Sequence, residues 1–148
     1  MTRSDITSHL EIAARPEHVW ALTVDVERWP SLTPTISSVE RLDAGPLRVG
    51  SSARVTQPKQ RPAVWTVTEL EPVSRFVWST KVGPVTMTGG HRITPTPDGC
   101  TNTLTLELSG FGSRVLARLI GPTIRKAIET ENAGFKAAAE AMAAERAS

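Results

Sequence analysis

Residues 63–81 read AVWTVTELEPVSRFVWSTK, two runs of alternating residues joined by EPVS. Alternation is the period of a strand with one buried face, and a Pro between polar residues marks a turn. Trp65 and Val67 share one face of the first run, and Phe76 and Trp78 share one face of the second. Folding about EPVS sets Val67 opposite Trp78, so both runs turn their large apolar side chains to the same side.

Working outward from this hairpin, the same pattern predicts strands over 5–12, 36–42, 51–57, 85–94 and 101–109 besides 63–70 and 75–81. The segments DAGP, PKQRP, EPVS, VGP and PTPDG separate them, each rich in turn formers. Connections this short make neighbours antiparallel. Parity points Ile6, Leu10 and Ile12 inward and His9 outward. In later strands it points Ala53, Val55 and Gln57, then Met87, Gly89, His91 and Ile93, then Leu104, Leu106 and Leu108 inward. His91 and Glu107 therefore fall on opposite faces, which argues against pairing them as acid and base.

Between the first two strands, Arg15-Pro16-Glu17 opens a helix, with Pro where no amide donor is missed and Glu at the positive end of the dipole. Val19, Trp20 and Thr23 are expected on its inner face. DVERWPSLTP, residues 25–34, reads as a break followed by a second short helix, with Pro30 near its start and Pro34 preventing extension. The period changes again at Ser113, a good N-cap. Leu116, Ile120, Ile124, Ile128, Phe135, Ala138 and Met142 follow at helical spacing. Gly121-Pro122 predicts a kink or a fresh start, and the part beyond it still spans roughly 35 Å.

The chain has 148 residues, 39% hydrophobic and 22% charged. This suits one domain over 1–148 that buries roughly 70% of the surface of its unfolded chain. Net charge is +2, and although the pI is 9.1, no basic stripe with interleaved aromatics suggests nucleic acid. Arg114, Arg118, Arg125 and Lys126 read more simply as the solvated face of a helix. A single Cys100 excludes an internal disulfide, and three scattered His with it give no zinc spacing, so no metal or cofactor is expected. The N-terminus lacks a signal core and no apolar run approaches the ~20 residues of a membrane span, which makes the cytoplasm the expected location.

The order of one strand, two short helices, six antiparallel strands and a long helix is that of the α+β helix-grip fold. RPEHVWALTVDVERWP, GPLRVGSSARVTQP, VWTVTELEP, RFVWST, TGGHRITP and IRKAIETENAGFKAAAE resemble the polyketide cyclase/dehydrase and lipid-transport family of the START and pollen-allergen (SRPBCC) superfamily. The resemblance covers residues 5–140 and implies a seven-stranded curved sheet wrapped around the C-terminal helix, with a cavity for a lipid, sterol, polyketide or hormone. Some members catalyse reactions and others only bind. Two features depart from the family: Leu32 stands where a second aromatic often follows the Trp29-Pro30 pair, and the chain has no Tyr. A phenolic acid mechanism is therefore excluded.

The expected cavity wall is Trp20, Gln57, Trp65, Val67, Trp78, Met87, His91, Leu104, Leu106, Ile120, Ile124, Ile128, Glu131 and Phe135. For the tryptophans, core filling and cavity lining both stand, with Trp65 and Trp78 suiting the cavity and Trp29 suiting a plug between short helices and sheet. His91 is either a satisfied core histidine, a hydrogen-bond partner for a ligand carbonyl, or a proton-transfer group. Glu131 falls in the apolar stripe, where a carboxylate is costly unless bonded; rotation by one position would expose it.

Three functions follow, in this order: a carrier or binding protein for an apolar small molecule, a cyclase or dehydratase using the same cavity, and a module docking a membrane or protein surface. An otherwise greasy wall would mark the first, a second inward polar group within reach of His91 the second, and an exposed apolar patch the third. The chain is expected to act as a monomer or homodimer.

Overall fold

Seven strands form one sheet in the order β1-β7-β6-β5-β4-β3-β2, every neighbouring pair antiparallel. In the computed structural model, which describes residues 3–147, β1 is Arg3–Ile12, β2 Ser38–Arg41, β3 Ser52–Thr56 and β4 Ala63–Glu71. β5 is Arg75–Val82, β6 Val85–Thr96 and β7 Gly99–Gly110. Helix α1, Pro16–Val24, and a 3-10 helix, Val26–Ser31, follow β1, and the long α2, Ser113–Ala147, closes the chain. This is the helix-grip fold.

The β4–β5 hairpin has the register that alternation implies, with Val67 paired to Trp78. Beyond it, strict alternation would turn Glu69 inward. A bulge between Val67 and Glu69 prevents this: Leu70 comes opposite Phe76 and packs on the core, while Glu69 is exposed and meets Arg75 at 3.3 Å. One extra residue in the strand thus keeps a carboxylate out of the interior. The turn itself closes with the Ser74 amide donating to the Glu71 carbonyl at 3.0 Å.

Helix α2 packs mainly on β1 and β7 and touches α1. Its stripe is the expected one: Ile128, Phe135 and Ala139 are buried, and Leu116, Ile120, Ile124, Ala138 and Met142 pack against the same core. Of the kink or fresh start expected at Pro122, the fresh start does not occur, because the helix runs through Pro122 without interruption. Pro122 and Arg118, the residue whose carbonyl loses its partner, are both exposed. Water can take that carbonyl there, which lowers the cost of the proline.

Two polar devices fix the helix. The buried Asn132 amide nitrogen donates to the Ser8 and Asn102 carbonyls at 3.2 and 3.1 Å, while its oxygen accepts from the Asn102 amide at 3.0 Å. Nearer the C-terminus, Glu140 accepts from the Ala13 amide at 2.8 Å and from Lys136 at 2.6 Å.

Gly134 sets how closely α2 approaches the segment after the 3-10 helix. A Cβ on it would lie 2.1 Å from the Leu32 carbonyl oxygen. Although Ala favours a helix by about 1 kcal/mol over Gly, the clash is with backbone and cannot be relieved by a rotamer change. Gly134→Ala should therefore lose about 1 to 3 kcal/mol in urea unfolding, the usual cost of overpacking. A stabilised variant would mean that the helix sits further from Leu32.

Candidate functional site

Between the inner face of the sheet and α2 lies a cavity of about 300 Å³. Inward positions of five strands build its wall: Val55 on β3, Trp65 on β4, Trp78 on β5, Met87 on β6, and Leu104 and Leu106 on β7. Ile120, Ile124 and Ile128 of α2 close it from above. The two indoles lie against each other, centroids 5.7 Å apart and planes 35° apart. Gly89 makes room for them: a Cβ there would stand 3.5 Å from Trp78 and 3.7 Å from Trp65. Gln57, just past β3, and Gln60 stand at one end, and Gln60 and Thr123 line the cavity while exposed to solvent. The mouth therefore lies between the β3–β4 loop and α2.

Three residues expected in the wall lie elsewhere. Val67 and Phe135 are only 2% exposed and belong to the packed core. Trp20 is half-buried at the edge of α1, whose buried face is His18, Val19, Leu22 and Thr23. A step of 100° per residue carries Trp20 off the stripe that Val19 and Thr23 share. Conversely, Trp29 of the 3-10 helix lines the cavity, and so does Ile36, which lies before β2 because the strand expected over 36–42 begins only at Ser38.

Trp29 plugs the space under the short helices, its indole N–H donating to the Leu22 carbonyl at 3.1 Å. Its ring lies 5.1 Å from His91, and Phe76 and Phe135 stand 5.5 and 5.6 Å from the same imidazole. His91 is thus caged by aromatic carbon, and burial pushes its pKa down to about 4. Its Nδ1 is buried with no hydrogen-bond partner among the described residues. At neutral pH the ring is uncharged and holds one donor and one acceptor.

Glu131 is, besides His91, the titratable group in the cavity lining. It accepts a hydrogen bond from Thr35 at 3.0 Å, and the Thr35 hydroxyl lies 2.9 Å from that of buried Thr33. Burial raises the carboxyl to about 7 against the opposing effect of the Thr35 hydroxyl. Near neutrality Glu131 therefore exists in both forms, able to donate or accept a proton inside an apolar space. Glu107 lines a separate polar depression with Arg75 and Arg92, and His91 borders that depression as well.

The sequence matches the model of the polyketide cyclase/dehydrase and lipid-transport family over residues 3–143. The chain belongs to this family. Its fold is shared with the protein TTHA0849 of Thermus thermophilus, at a TM-score of 0.74 and 18% identity, covering 94% of this chain and 99% of that one. The ZhuI aromatase/cyclase of Streptomyces sp. R1128 aligns at 0.70 and 18% identity, covering 99% of this chain and 97% of that one. Norcoclaurine synthase of Thalictrum flavum, solved with dopamine and hydroxybenzaldehyde, aligns at 0.72 and 16% identity, covering 97% and 88%. At these identities the likeness is one of fold. A search of the curated proteins finds no match.

Proposed function

We propose that the chain binds an apolar small molecule, such as an aromatic metabolite, a polyketide or a fatty acyl chain, in the cavity between sheet and α2. The observation that carries this reading is the wall itself: paired indoles and aliphatic side chains around about 300 Å³, the lower end of the roughly 300 to 1,000 Å³ common for ligand sites. Membership of a family that includes lipid transport, and a cyclase of the same fold, support it. Among the polar groups of the lining, His91, Glu131 and Gln57 would orient a ligand that carries one or two oxygen or nitrogen atoms.

N-phenyl-1-naphthylamine, an apolar fluorophore, tests the reading. It should bind with a dissociation constant on the order of 1 μM, about −8 kcal/mol, and quench indole emission. Gly89→Val places branched carbon between Trp65 and Trp78, where a Cβ makes ordinary contacts. That variant should keep its melting temperature within a few degrees and lose most probe affinity. Absence of saturable binding to the folded wild type, or undiminished binding to Gly89→Val, would sink the proposal.

A second reading is favoured by one observation: His91 and Glu131 line the same cavity, which supplies the second polar group that a cyclase or dehydratase needs. In that reading Glu131 would exchange a proton with a β-keto chain folded against the indoles, and His91 would hold a carbonyl. Glu131→Gln separates the two readings. Turnover of a poly-β-keto substrate falling a hundredfold or more with binding retained marks the enzyme, and retained binding with no turnover in wild type marks the carrier.

A further inference from the structure

The side of α2 turned away from the cavity carries large apolar residues in water. Phe111 is 87% exposed, Val115 64% and Leu119 73%. Val115 and Leu119 stand one turn apart on α2 and make one line, and Phe111 lies in the loop just before the helix starts. That line is built into a firm part of the fold. Gly110, at φ +104, comes so close to the Pro84 carbonyl that a Cβ would lie 2.4 Å from it, which pins the β7–α2 loop against the β5–β6 turn. Val82, at that turn, is itself 50% exposed.

The charge around this line has one sign. From Leu108 to Ile128 the sequence contains Arg114, Arg118, Arg125 and Lys126 and no carboxylate. All four basic residues are exposed, and none takes part in an ion pair among the described residues. Arg15, Arg41, Arg48, Arg54, Arg75 and Lys136 each meet a carboxylate, while Arg28, Lys59, Arg61, Lys81, Arg92 and Arg146 are scattered cations outside any ion pair among the described residues. What sets the four apart is that no carboxylate stands among them in sequence. A narrow apolar ridge flanked by unneutralised cations suits neither bulk water nor a broad, mixed-charge protein partner. It suits an interface with an apolar layer beneath a negatively charged one.

We infer that the Phe111–Leu119 ridge of α2, with Arg114 and Arg118 beside it, docks this protein on the surface of a bilayer containing anionic phospholipid. Phe111, Val115 and Leu119 enter the acyl boundary and the arginines meet phosphate oxygens. No helix among the described residues is long and apolar enough to cross a membrane, so the contact lies in the interface plane. The cavity mouth is close by: Thr123 is one turn beyond Leu119, and across from it Gln60 stands between the exposed Lys59 and Arg61. Docking therefore brings the mouth to headgroup level, and an apolar ligand can pass between bilayer and cavity with little exposure to water. That consequence rests on the proposed binding function; the docking does not.

Co-sedimentation of the full chain with phosphatidylcholine vesicles, with and without phosphatidylglycerol, tests the inference. The protein should partition onto the mixed vesicles and be released by salt. Arg114→Gln with Arg118→Gln should weaken partitioning by about fivefold per arginine, and Phe111→Ser with Leu119→Ser should abolish it at an unchanged melting temperature. Arg92→Gln, on the outer face of the sheet, should behave as wild type. Equal partitioning onto neutral vesicles, none onto either kind, or wild-type partitioning of the ridge variants overturns it. So does a dimer in sedimentation velocity that the serine pair dissolves in the absence of vesicle binding, since the ridge would then serve a second copy of the chain. Unchanged uptake of N-phenyl-1-naphthylamine by the serine pair keeps a failure of docking distinct from a failure of the cavity.

Discussion

Truncation of Phe135 to Ala should cost about 3 to 5 kcal/mol of folding stability. The ring is 2% exposed and packs into the aromatic cluster, 5.9 Å from Trp29 and 5.6 Å from His91. It does not line the cavity, so no adjoining void is ready to absorb the loss, and the rigid rings around it cannot collapse into the gap. The transfer and cavity costs then add in full. Arg125, on the exposed side of the same helix, should tolerate Ala within about 0.5 kcal/mol. Denaturant melts of the two variants check the assignment of faces, and similar costs at both sites would show that α2 is rotated from its described position.

Alternation told the side of the sheet on which a residue falls, but not its depth. Trp65, Trp78 and His91 were legible as inward because each sits in a regular run. Whether an inward residue meets a void or another side chain depends on what packs against it from distant sequence, and Val67 and Phe135 turned out to be enclosed for that reason. Trp29 was legible only as a plug and Ile36 only as the start of a strand over 36–42; that both reach the cavity depends on how the 3-10 helix and the loop before β2 pack against the sheet. Glu131 could be read either way, since a helical stripe is wide enough that one step of rotation decides between core and water. The Thr35 hydroxyl that makes its burial tolerable comes from 96 residues earlier in the chain. The Asn102 and Asn132 pair was missed for a related reason: each is a polar residue at an apolar position, and only their meeting makes sense of both.

Acid titration should expose two buried groups that pull stability in opposite directions. Neither shift has a charged neighbour among its causes; both arise first from burial. His91 falls from 6.5 to about 4 on folding. Between those values the unfolded chain binds the proton that the folded chain refuses, so its contribution is intact above 6.5 and is lost as pH falls toward 4. Glu131 rises from 4.5 to about 7. The folded chain holds that proton more tightly, so its contribution is fully present below 4.5 and is lost as pH rises through 7. At 1.36 kcal/mol per unit the His91 swing approaches about 3 kcal/mol, and that of Glu131, which keeps partial exposure, is somewhat smaller. From pH 4.5 to 6.5 the two slopes largely cancel in the wild type. Substituting one group should therefore uncover the other: Glu131→Gln loses stability relative to wild type on going from pH 7 to 5, and His91→Asn gains it over the same range. The measurement is urea unfolding of the three proteins at fixed ionic strength, and taking differences removes the background of the remaining carboxylates. Parallel profiles for all three would show that water reaches both groups, and the cavity would then have to be redrawn as an open cleft.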